Sequence, residues 1–482
     1  MKKALLKKEN IIYVILFFLL LIVHLPILIK PLFTGDVLLN NSFYNGYSWE
    51  ISLGRFGLYL VGLLKSYLSI PSIETFISFF LIIGTTYLLL RLFDVKDVLP
   101  KVFIIILMTV SPIISATLLF HYCSVPYFIA FFCGVLSVVV YYESNNKYIR
   151  YLLPVILMII SLSMYQAYFS LIVTVFFLYQ IHLLLKKQFH FKQSLLYLLL
   201  FIIGVFFYFL LMKLSLFVFH IDMSSYSNAN SVGISTLLQI PNKVIDSYQL
   251  FYEMYFTDSI MKNTFFGNTY LHAIILLFFF LTILMKTIQS TISWKEKVLV
   301  IALVLLLPVF LNSVIFVIND AKLQLLMGAS YLVFFIFLLS LSYEKHLRMI
   351  FYLFLILLLR NYCIQDQATY LTLENTYHAY DTIIGSTIKD HLGENKKYIV
   401  IGNISSDPDI SKRNYGYISD EGLFWEEYNL RKLGFERFCR ETYGLIIPFG
   451  EEDLYQNALN HPHQEAIYEE DDTILINLNK FQ

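Results

Sequence analysis

The sequence predicts an α-helical polytopic membrane protein with a small α/β domain at its C-terminal end, on three observations. Of the 482 residues, 58% are hydrophobic and only 15% are charged, whereas soluble proteins use about a quarter charged residues. Runs of about 20 apolar residues recur, and each can cross a ~30 Å hydrocarbon core as a helix. From residue 364 onward the polarity is ordinary. The composition excludes nucleic-acid binders, secreted disulfide scaffolds and cytosolic enzymes.

Eleven apolar runs are candidate membrane spans. They lie near residues 11–29, 72–92, 100–119, 125–142, 148–163, 166–185, 193–219, 269–286, 297–318, 323–342 and 347–363. The first run follows four lysines and lacks a small-residue cleavage site, so it is predicted to be an uncleaved span with its lysines in the cytoplasm.

The segment 51–70 is apolar but contains Arg55 and Lys65. We predict a helix lying on the outer membrane surface, because this choice follows the positive-inside rule. It leaves 17 Lys and Arg residues on the cytoplasmic side and six on the outer side. If the segment crossed the membrane, every later loop would change side.

Two regions follow from this topology. Residues 1–363 form the transmembrane domain, with an outer loop at 220–268, and residues 364–482 form an extracytoplasmic α/β domain. The tail has 10 Lys and Arg against 21 Asp and Glu. Its pattern predicts a helix over 369–392 and strands over 398–401, 445–449 and 473–476.

The outer ends of the spans carry the polar residues that can support chemistry. Asp36 follows the first span, and a partly desolvated carboxylate there can act as a general base, although its spacing alone favours a cap for the next short helix. Arg55 has a planar guanidinium whose fork of N–H groups matches the oxygens of a phosphate. Alternatively, it contacts lipid headgroups. Other outer connections contribute His121, Tyr122, Tyr165, Gln166, Asn319, Asp320 and Lys322.

Other residues are interpreted structurally. Tyr44, Tyr47 and Trp49 are expected to form an interfacial aromatic belt, and His24 and Glu74 each sit alone at the end of a span. The four cysteines have neither disulfide-type nor zinc-type spacing. No Walker loop, G-x-G-x-x-G after a strand, H-E-x-x-H or G-x-S-x-G motif is present.

Three short motifs carry a family resemblance. They are Asp36 in TGDV, Gly54-Arg55 in SLGRFG, and Tyr165-Gln166 in SLSMYQAYFSL. With the first outer loop and surface helix, they resemble the GT-C architecture of polyprenyl-phosphate-dependent glycosyltransferases, and within it the GtrII-type glucosyltransferases, over approximately residues 10–365.

The resemblance implies an inverting enzyme of the bacterial cytoplasmic membrane. It would move a sugar, glucose in the namesake members, from undecaprenyl phosphate to a cell-surface polysaccharide. The abundance of Ile, Lys, Asn, Tyr and Phe, as in AT-rich Gram-positive bacteria, adds a teichoic-acid-type acceptor. Asp36 is then the expected base, with Arg55, Lys322 and His121 on the lipid phosphate and Tyr165, Gln166 and Asp320 on the substrate. Many relatives have two adjacent acidic residues in this loop, but here Val37 follows Asp36. No metal ligand is therefore assigned, and a divalent cation stays an open alternative.

Two other functions fit the same pattern of spans. A polysaccharide polymerase of the Wzy kind also has many spans and a large outer loop, but uses a lipid-linked oligosaccharide. A lipid-carrier flippase or secondary transporter often has paired halves and ionisable residues near mid-membrane. The expected partners are a lipid-linked sugar donor, the polysaccharide acceptor and membrane lipids, without nucleic acid.

Overall fold

Helices make up most of the part of the chain that the computed structural model describes. This part comprises residues 2–30, 32, 44, 46–224, 239–257, 268–317, 324–341, 345–387, 397–401, 467–470 and 473–477. In chain order the α-helices are α1 (Lys2–Val23), α2 (Leu25–Ile29), α3 (Ser48–Ser52), α4 (Phe56–Leu64), α5 (Pro71–Leu92), α6 (Val98–Val110), α7 (Pro112–Leu119), α8 (His121–Glu143), α9 (Lys147–Met164), α10 (Phe169–Leu185), α11 (Phe191–Phe219), α12 (Ile240–Phe256), α13 (Asn268–Gln289), α14 (Trp294–Leu305), α15 (Leu307–Leu311), α16 (Ala329–Ser340) and α17 (Lys345–Thr387). Short 3₁₀ turns cover Gln166–Tyr168, Ser313–Phe316 and Leu325–Met327.

The chain is a multi-pass membrane protein. Among the described residues, eight helical segments are long and apolar enough to cross a membrane: Pro71–Leu92, Val98–Leu119, His121–Glu143, Lys147–Met164, Gln166–Leu185, Phe191–Phe219, Asn268–Gln289 and Arg348–Leu371. Two apolar helices, Ile11–Val23 and Ala329–Ser340, are shorter. Ala329–Leu339 is buried at every position, which places this predominantly apolar helix inside the bundle.

Prolines divide three of the apolar segments. The chain breaks at His24 before Pro26, at Ser111 before Pro112, and at Leu306 before Pro308. Proline lacks a backbone N–H and clashes with the preceding turn, so a helix stops or restarts there. The continuous span expected over 297–318 is instead α14, α15 and a 3₁₀ turn.

The prediction of one continuous surface helix over 51–70 is wrong. The segment forms α3 and α4, separated by Gly54 with a φ of 83°. The helix α4 has nine residues, or about 13 Å at 1.5 Å per residue, which is too short to cross a ~30 Å core. After α4, Ser66 and Tyr67 also have positive φ and turn the chain toward α5.

Contacts between helix ends define two ends of the bundle. At one end, Arg91 pairs with Glu143 at 2.6 Å, and Lys186 pairs with Asp94 at 2.5 Å. We call this the opposite end. At the other end, which we call the site end, Ser72 Oγ donates to the carbonyl of Leu28 at 2.8 Å.

The long helix α17 is fastened to the first helical segment at the site end. His24 is fully buried, and its ring nitrogens lie 2.7 Å from Tyr370 Oη and 2.9 Å from the carbonyl of Thr109. His24 therefore has partners that sequence reasoning could not identify. The predicted division at residue 363 falls inside α17, which continues to Thr387.

Beyond α17 the described residues form three short strands: β1 (Lys397–Ile401), β2 (Ile467–Glu470) and β3 (Thr473–Asn477). Their order is β1-β3-β2, with β1 parallel and β2 antiparallel to β3. Strands β1 and β3 overlap the predicted runs at 398–401 and 473–476. The predicted strand at 445–449 lies outside the described residues.

Candidate active site

The turn between α3 and α4 places Arg55 at the site end. Gly54 adopts a φ of 83°, a region that L-residues rarely occupy, and the backbone N–H of Arg55 donates to the carbonyl of Glu50 at 2.8 Å. Tyr208 Oη donates to the carbonyl of Gly54 at 3.1 Å. The turn is therefore closed on itself and tied to α11.

The guanidinium of Arg55 joins residues that are far apart in sequence. Its Nε donates to Gln166 Oε1 at 3.2 Å, and its Nη1 lies 3.5 Å from Glu50 Oε2. The guanidinium carbon lies 5.2 Å from the centre of the Tyr165 ring, within cation–π range. The structure thus brings together three predicted site residues, Arg55, Tyr165 and Gln166.

The break between α9 and α10 holds Tyr165 and Gln166 in place. Tyr165 has an extended backbone, and the 3₁₀ turn Gln166–Tyr168 follows it. The Tyr165 ring is 1% exposed and stacks on Tyr127 at 4.2 Å. Gln166 Nε2 donates to the carbonyl of Leu53. The amide of Gln166 therefore contacts both the Gly54 turn and Arg55.

Glu50 is a functional candidate that sequence reasoning missed. It is 6% exposed and accepts a hydrogen bond from Tyr44 Oη at 2.6 Å. Burial, and then the charge of Glu50, raise the pKa of the Tyr44 hydroxyl well above its usual range, so Tyr44 stays neutral and donates. A buried carboxylate is stable only when it is paired and hydrogen-bonded, and Arg55 and Tyr44 meet both needs.

The aromatic belt expected at 44–49 is only partly present. Trp49 is 55% and Tyr47 39% exposed, as an interfacial position requires, but Tyr44 is 7% exposed. Its hydroxyl is committed to Glu50, and its ring packs on Tyr122 at 4.6 Å. The belt interpretation of Tyr44 is therefore wrong, because a buried phenol needs a hydrogen-bond partner and finds one here.

A second ion pair lies beside this cluster. Lys65 Nζ donates to Glu74 Oε1 and to the carbonyl of Tyr122, both at 2.8 Å. Glu74 is 5% exposed, so it is not the isolated residue that the sequence indicated. Among the described residues, Glu74 Oε2 has no hydrogen-bond partner. Tyr122 contacts both this pair and Tyr44, which makes the two pairs neighbours.

His121 is buried but does not contact Arg55. It is 1% exposed, and its Nε2 lies 3.2 Å from the carbonyl of Leu32, which fastens the chain that leaves α2. Within the described ranges its Nδ1 has no partner. The neighbouring Tyr122 is the link between this residue and the Glu50 cluster.

Three other predicted site residues, Asp36, Asp320 and Lys322, lie outside the described residues. In the part of the chain that is described, no group of three His, Cys, Asp or Glu side chains could hold a metal ion. Cys123, Cys133 and Cys363 are free thiols.

The arrangement suits the binding of an anion at the membrane boundary. The side chain of Arg55 is 19% exposed, and Glu50, Gln166 and the Tyr165 ring hold its guanidinium in one orientation. A preorganised cation with low exposure interacts strongly with an oxyanion because little water screens it. The fork geometry favours phosphate or carboxylate oxygens.

Comparison with known proteins points to one family. Residues 25–341, which are 317 of the 482 residues, match the family described as Glucosyl transferase GtrII. No curated protein and no solved structure matches the chain. The matched range contains the whole cluster from Tyr44 to Tyr208.

Proposed function

Because the chain belongs to the GtrII glucosyl transferase family and is a glycosyltransferase, we propose that it moves glucose from undecaprenyl phosphate to a cell-surface polysaccharide or teichoic-acid-type acceptor. The reaction takes place on the outer face of the bacterial cytoplasmic membrane and inverts the anomeric carbon. The observation that carries this proposal is the buried cluster of Arg55, Glu50, Tyr165 and Gln166 at one end of a membrane bundle.

The proposed topology has eleven crossings, with the N-terminus in the cytoplasm and residues 364–482 outside as an α/β domain. The opposite end is then cytoplasmic. Its loops and the N-terminal segment carry 17 Lys and Arg residues, against six on the other side, which agrees with the positive-inside rule. This orientation puts the Arg55 cluster at the outer surface, where a lipid-linked donor and a wall polymer can meet.

Arg55 stabilises the leaving phosphate. An acceptor hydroxyl attacks the anomeric carbon, the bond from that carbon to the phosphate oxygen breaks, and undecaprenyl phosphate departs with the bonding electrons. Charge develops on the phosphate in a site of low dielectric, so a fixed guanidinium acts mainly on the transition state. Glu50 and Gln166 hold the guanidinium in position, and Lys322 serves as a second phosphate contact. His121 is not assigned this role, because it is buried and bonded to the carbonyl of Leu32.

Asp36 removes the proton of the attacking hydroxyl. Asp36 lies between α2 and α3 in sequence, and these elements are tied to the site by Leu32 with His121 and by Tyr44 with Glu50. Glu50 is unsuited to the same task, because its carboxylate is committed to Tyr44 and Arg55. Tyr165, Gln166 and Asp320 contact the sugar or the acceptor, and a divalent cation is not required by the proposed steps.

The test uses purified protein in detergent, undecaprenyl-phosphate-linked radiolabelled glucose and isolated cell-envelope polysaccharide. Wild type is expected to transfer label, and Arg55→Gln to lose at least about 100-fold, the usual effect of removing one oxyanion-stabilising group. Arg150→Gln at the opposite end is the matched control and is expected to keep full activity.

Two results would overturn the proposal. Full activity of Arg55→Gln would remove the phosphate role. A second result would instead establish a polymerase of the Wzy kind. Wild type would transfer no sugar from any lipid-monophosphate donor but would extend chains from a lipid-linked oligosaccharide.

A further inference from the structure

A cavity of about 610 Å³ opens at the opposite end of the bundle, away from the Arg55 cluster. Its walls come from the turn after α5, the ends of α10, α13 and α16, and the start of α17. Sites for small ligands usually enclose about 300–1,000 Å³. The cavity therefore has the size of a headgroup or small-metabolite site, and we call it the opposite-end cavity.

The charged lining of the opposite-end cavity is mainly cationic. Four cationic side chains face two carboxylates: Lys96, Lys186, Lys286 and Arg348 against Asp94 and Asp97. With these groups ionised, the lining carries an excess of two positive charges. The four cations come from four separate elements, so the fold, and not one basic stretch of sequence, assembles them.

One carboxylate already has its partners. Asp94 accepts from Lys186 at 2.5 Å and pairs with Lys96 at 3.1 Å. These contacts, first of all the hydrogen bond from Lys186, lower the pKa of Asp94, which keeps it charged at neutral pH. Among the described residues Arg348 forms no salt bridge, so its charge is not cancelled within the part of the chain that the structure shows.

The wall next to Arg348 is rigid and apolar. Tyr352, one turn further along α17, stacks on Phe103 of α6 with ring centres 4.5 Å apart and planes 6° apart. Phe93, Val95 and Leu341 add further apolar side chains to the lining. Polar cations and apolar walls together suit an amphiphilic or ring-bearing phosphate ester.

The positive-inside rule alone does not produce this arrangement. It requires Lys and Arg residues at one end of a membrane protein, but it does not require them to line one concave space. Lys147 and Lys192 satisfy the rule as exposed residues outside the cavity. Lys286, by contrast, lies at the end of α13 and lines the cavity.

We propose that the opposite-end cavity binds a phosphate-bearing anion through Lys286 and Arg348. The ligand is either the headgroup of an anionic phospholipid or a soluble phosphate ester, which share the chemistry that these cations recognise. This site is separate from glycosyl transfer, and the proposal does not depend on the donor or acceptor of that reaction.

The test compares wild type with the double variant Lys286→Gln/Arg348→Gln in a neutral maltoside detergent. One arm titrates phosphatidylglycerol, with zwitterionic phosphatidylcholine as the net-neutral comparison, and counts bound lipids by native mass spectrometry. The other arm titrates inorganic pyrophosphate by calorimetry. The double variant Lys147→Gln/Lys192→Gln is the control, because it loses the same charge outside the cavity.

Binding of the anion that occupies the cavity is expected to weaken about 30-fold in the cavity variant, from about fivefold per cation near a membrane surface, and to be unchanged in the control. A lipid site responds in the first arm only, and a soluble-ester site in the second. If neither anion binds wild type, or if both double variants bind as wild type does, the proposal is wrong. If the cavity variant does not stay folded by size exclusion, Arg348→Gln alone carries the same comparison.

Discussion

Replacing Gly54 by alanine should disable the site while the bundle stays intact. A Cβ at residue 54 would lie 2.6 Å from Met212 Sδ and 2.8 Å from Gln166 Nε2. Ordinary non-bonded contacts are about 3.5–4.0 Å, so each neighbour must move by about 1 Å. The φ of 83° adds roughly 1–2 kcal/mol of backbone strain for a residue with a Cβ.

Tyr208 Oη would lie 2.9 Å from the same Cβ, but the two nearest neighbours, Met212 and Gln166, respond differently to the displacement. Met212 has a flexible thioether side chain that can adopt another rotamer. Gln166 cannot move in the same way, because its amide is bonded to the carbonyl of Leu53 and to Arg55 Nε. Moving Gln166 by 1 Å therefore moves or releases Arg55, and a 1 Å misplacement can lower a rate by about 100-fold.

The assay is transfer of radiolabelled glucose, with folding checked by size exclusion after heating in detergent. The matched control is Gly204→Ala on α11, the helix that also carries Met212. The nearest atoms to a Cβ there all belong to the Met158 side chain, the closest at 3.1 Å. We expect about 100-fold lower transfer by Gly54→Ala and little change in Gly204→Ala. Activity of Gly54→Ala within about threefold of wild type would refute the coupling of this turn to Arg55.

Three further substitutions test other contacts. Arg55→Lys should lower kcat about 10- to 100-fold because a lysine cannot reproduce the guanidinium fork that reaches Gln166. Equal kcat values for wild type and Arg55→Lys would contradict this. Asp36→Asn should abolish transfer while the protein stays folded, and activity in the purified variant would remove Asp36 as the base. Lys65→Met should destabilise the fold by about 3–5 kcal/mol because it leaves Glu74 buried and unpaired, and adding Glu74→Gln should recover most of that loss of thermal stability. Lack of recovery would show that the ion pair is not the cause.

The convergence of Arg55, Tyr165 and Gln166 could be predicted from sidedness. Each lies next to a predicted span, and counting the membrane crossings from the N-terminus assigns all three to the same side. This assignment needs no knowledge of how the helices pack. The contacts themselves could not be predicted in this way. They depend on the turn at Gly54, which breaks a segment predicted as one helix, and on the 3₁₀ turn after Tyr165, where the sequence predicts only a boundary between two spans.

Glu50 shows why the rest of the cluster was missed. In sequence it is an acidic residue within an aromatic segment, and nothing in the periodicity distinguishes it from an exposed loop residue. Its burial arises only because the Gly54 turn folds α3 and α4 together and brings Arg55 to its carboxylate. The available signal was its position five residues before an arginine, in a segment otherwise suited to a membrane boundary. The same limit applies to Glu74, whose partner Lys65 comes from the turn that precedes its own helix.

The two ends of the bundle place different demands on the chain. At the site end, every described contact of Arg55 lies between Glu50 and Gln166, well inside the family match at 25–341. At the opposite end, Lys96, Lys186 and Lys286 lie inside that match but Arg348 lies beyond it. The cluster at Arg55 can therefore be assembled by residues of the matched region alone. The opposite-end cavity needs α17, whose Tyr370 also bonds to His24 at the site end. A ligand held by Arg348 would therefore bear on a helix that reaches from one end of the bundle to the other.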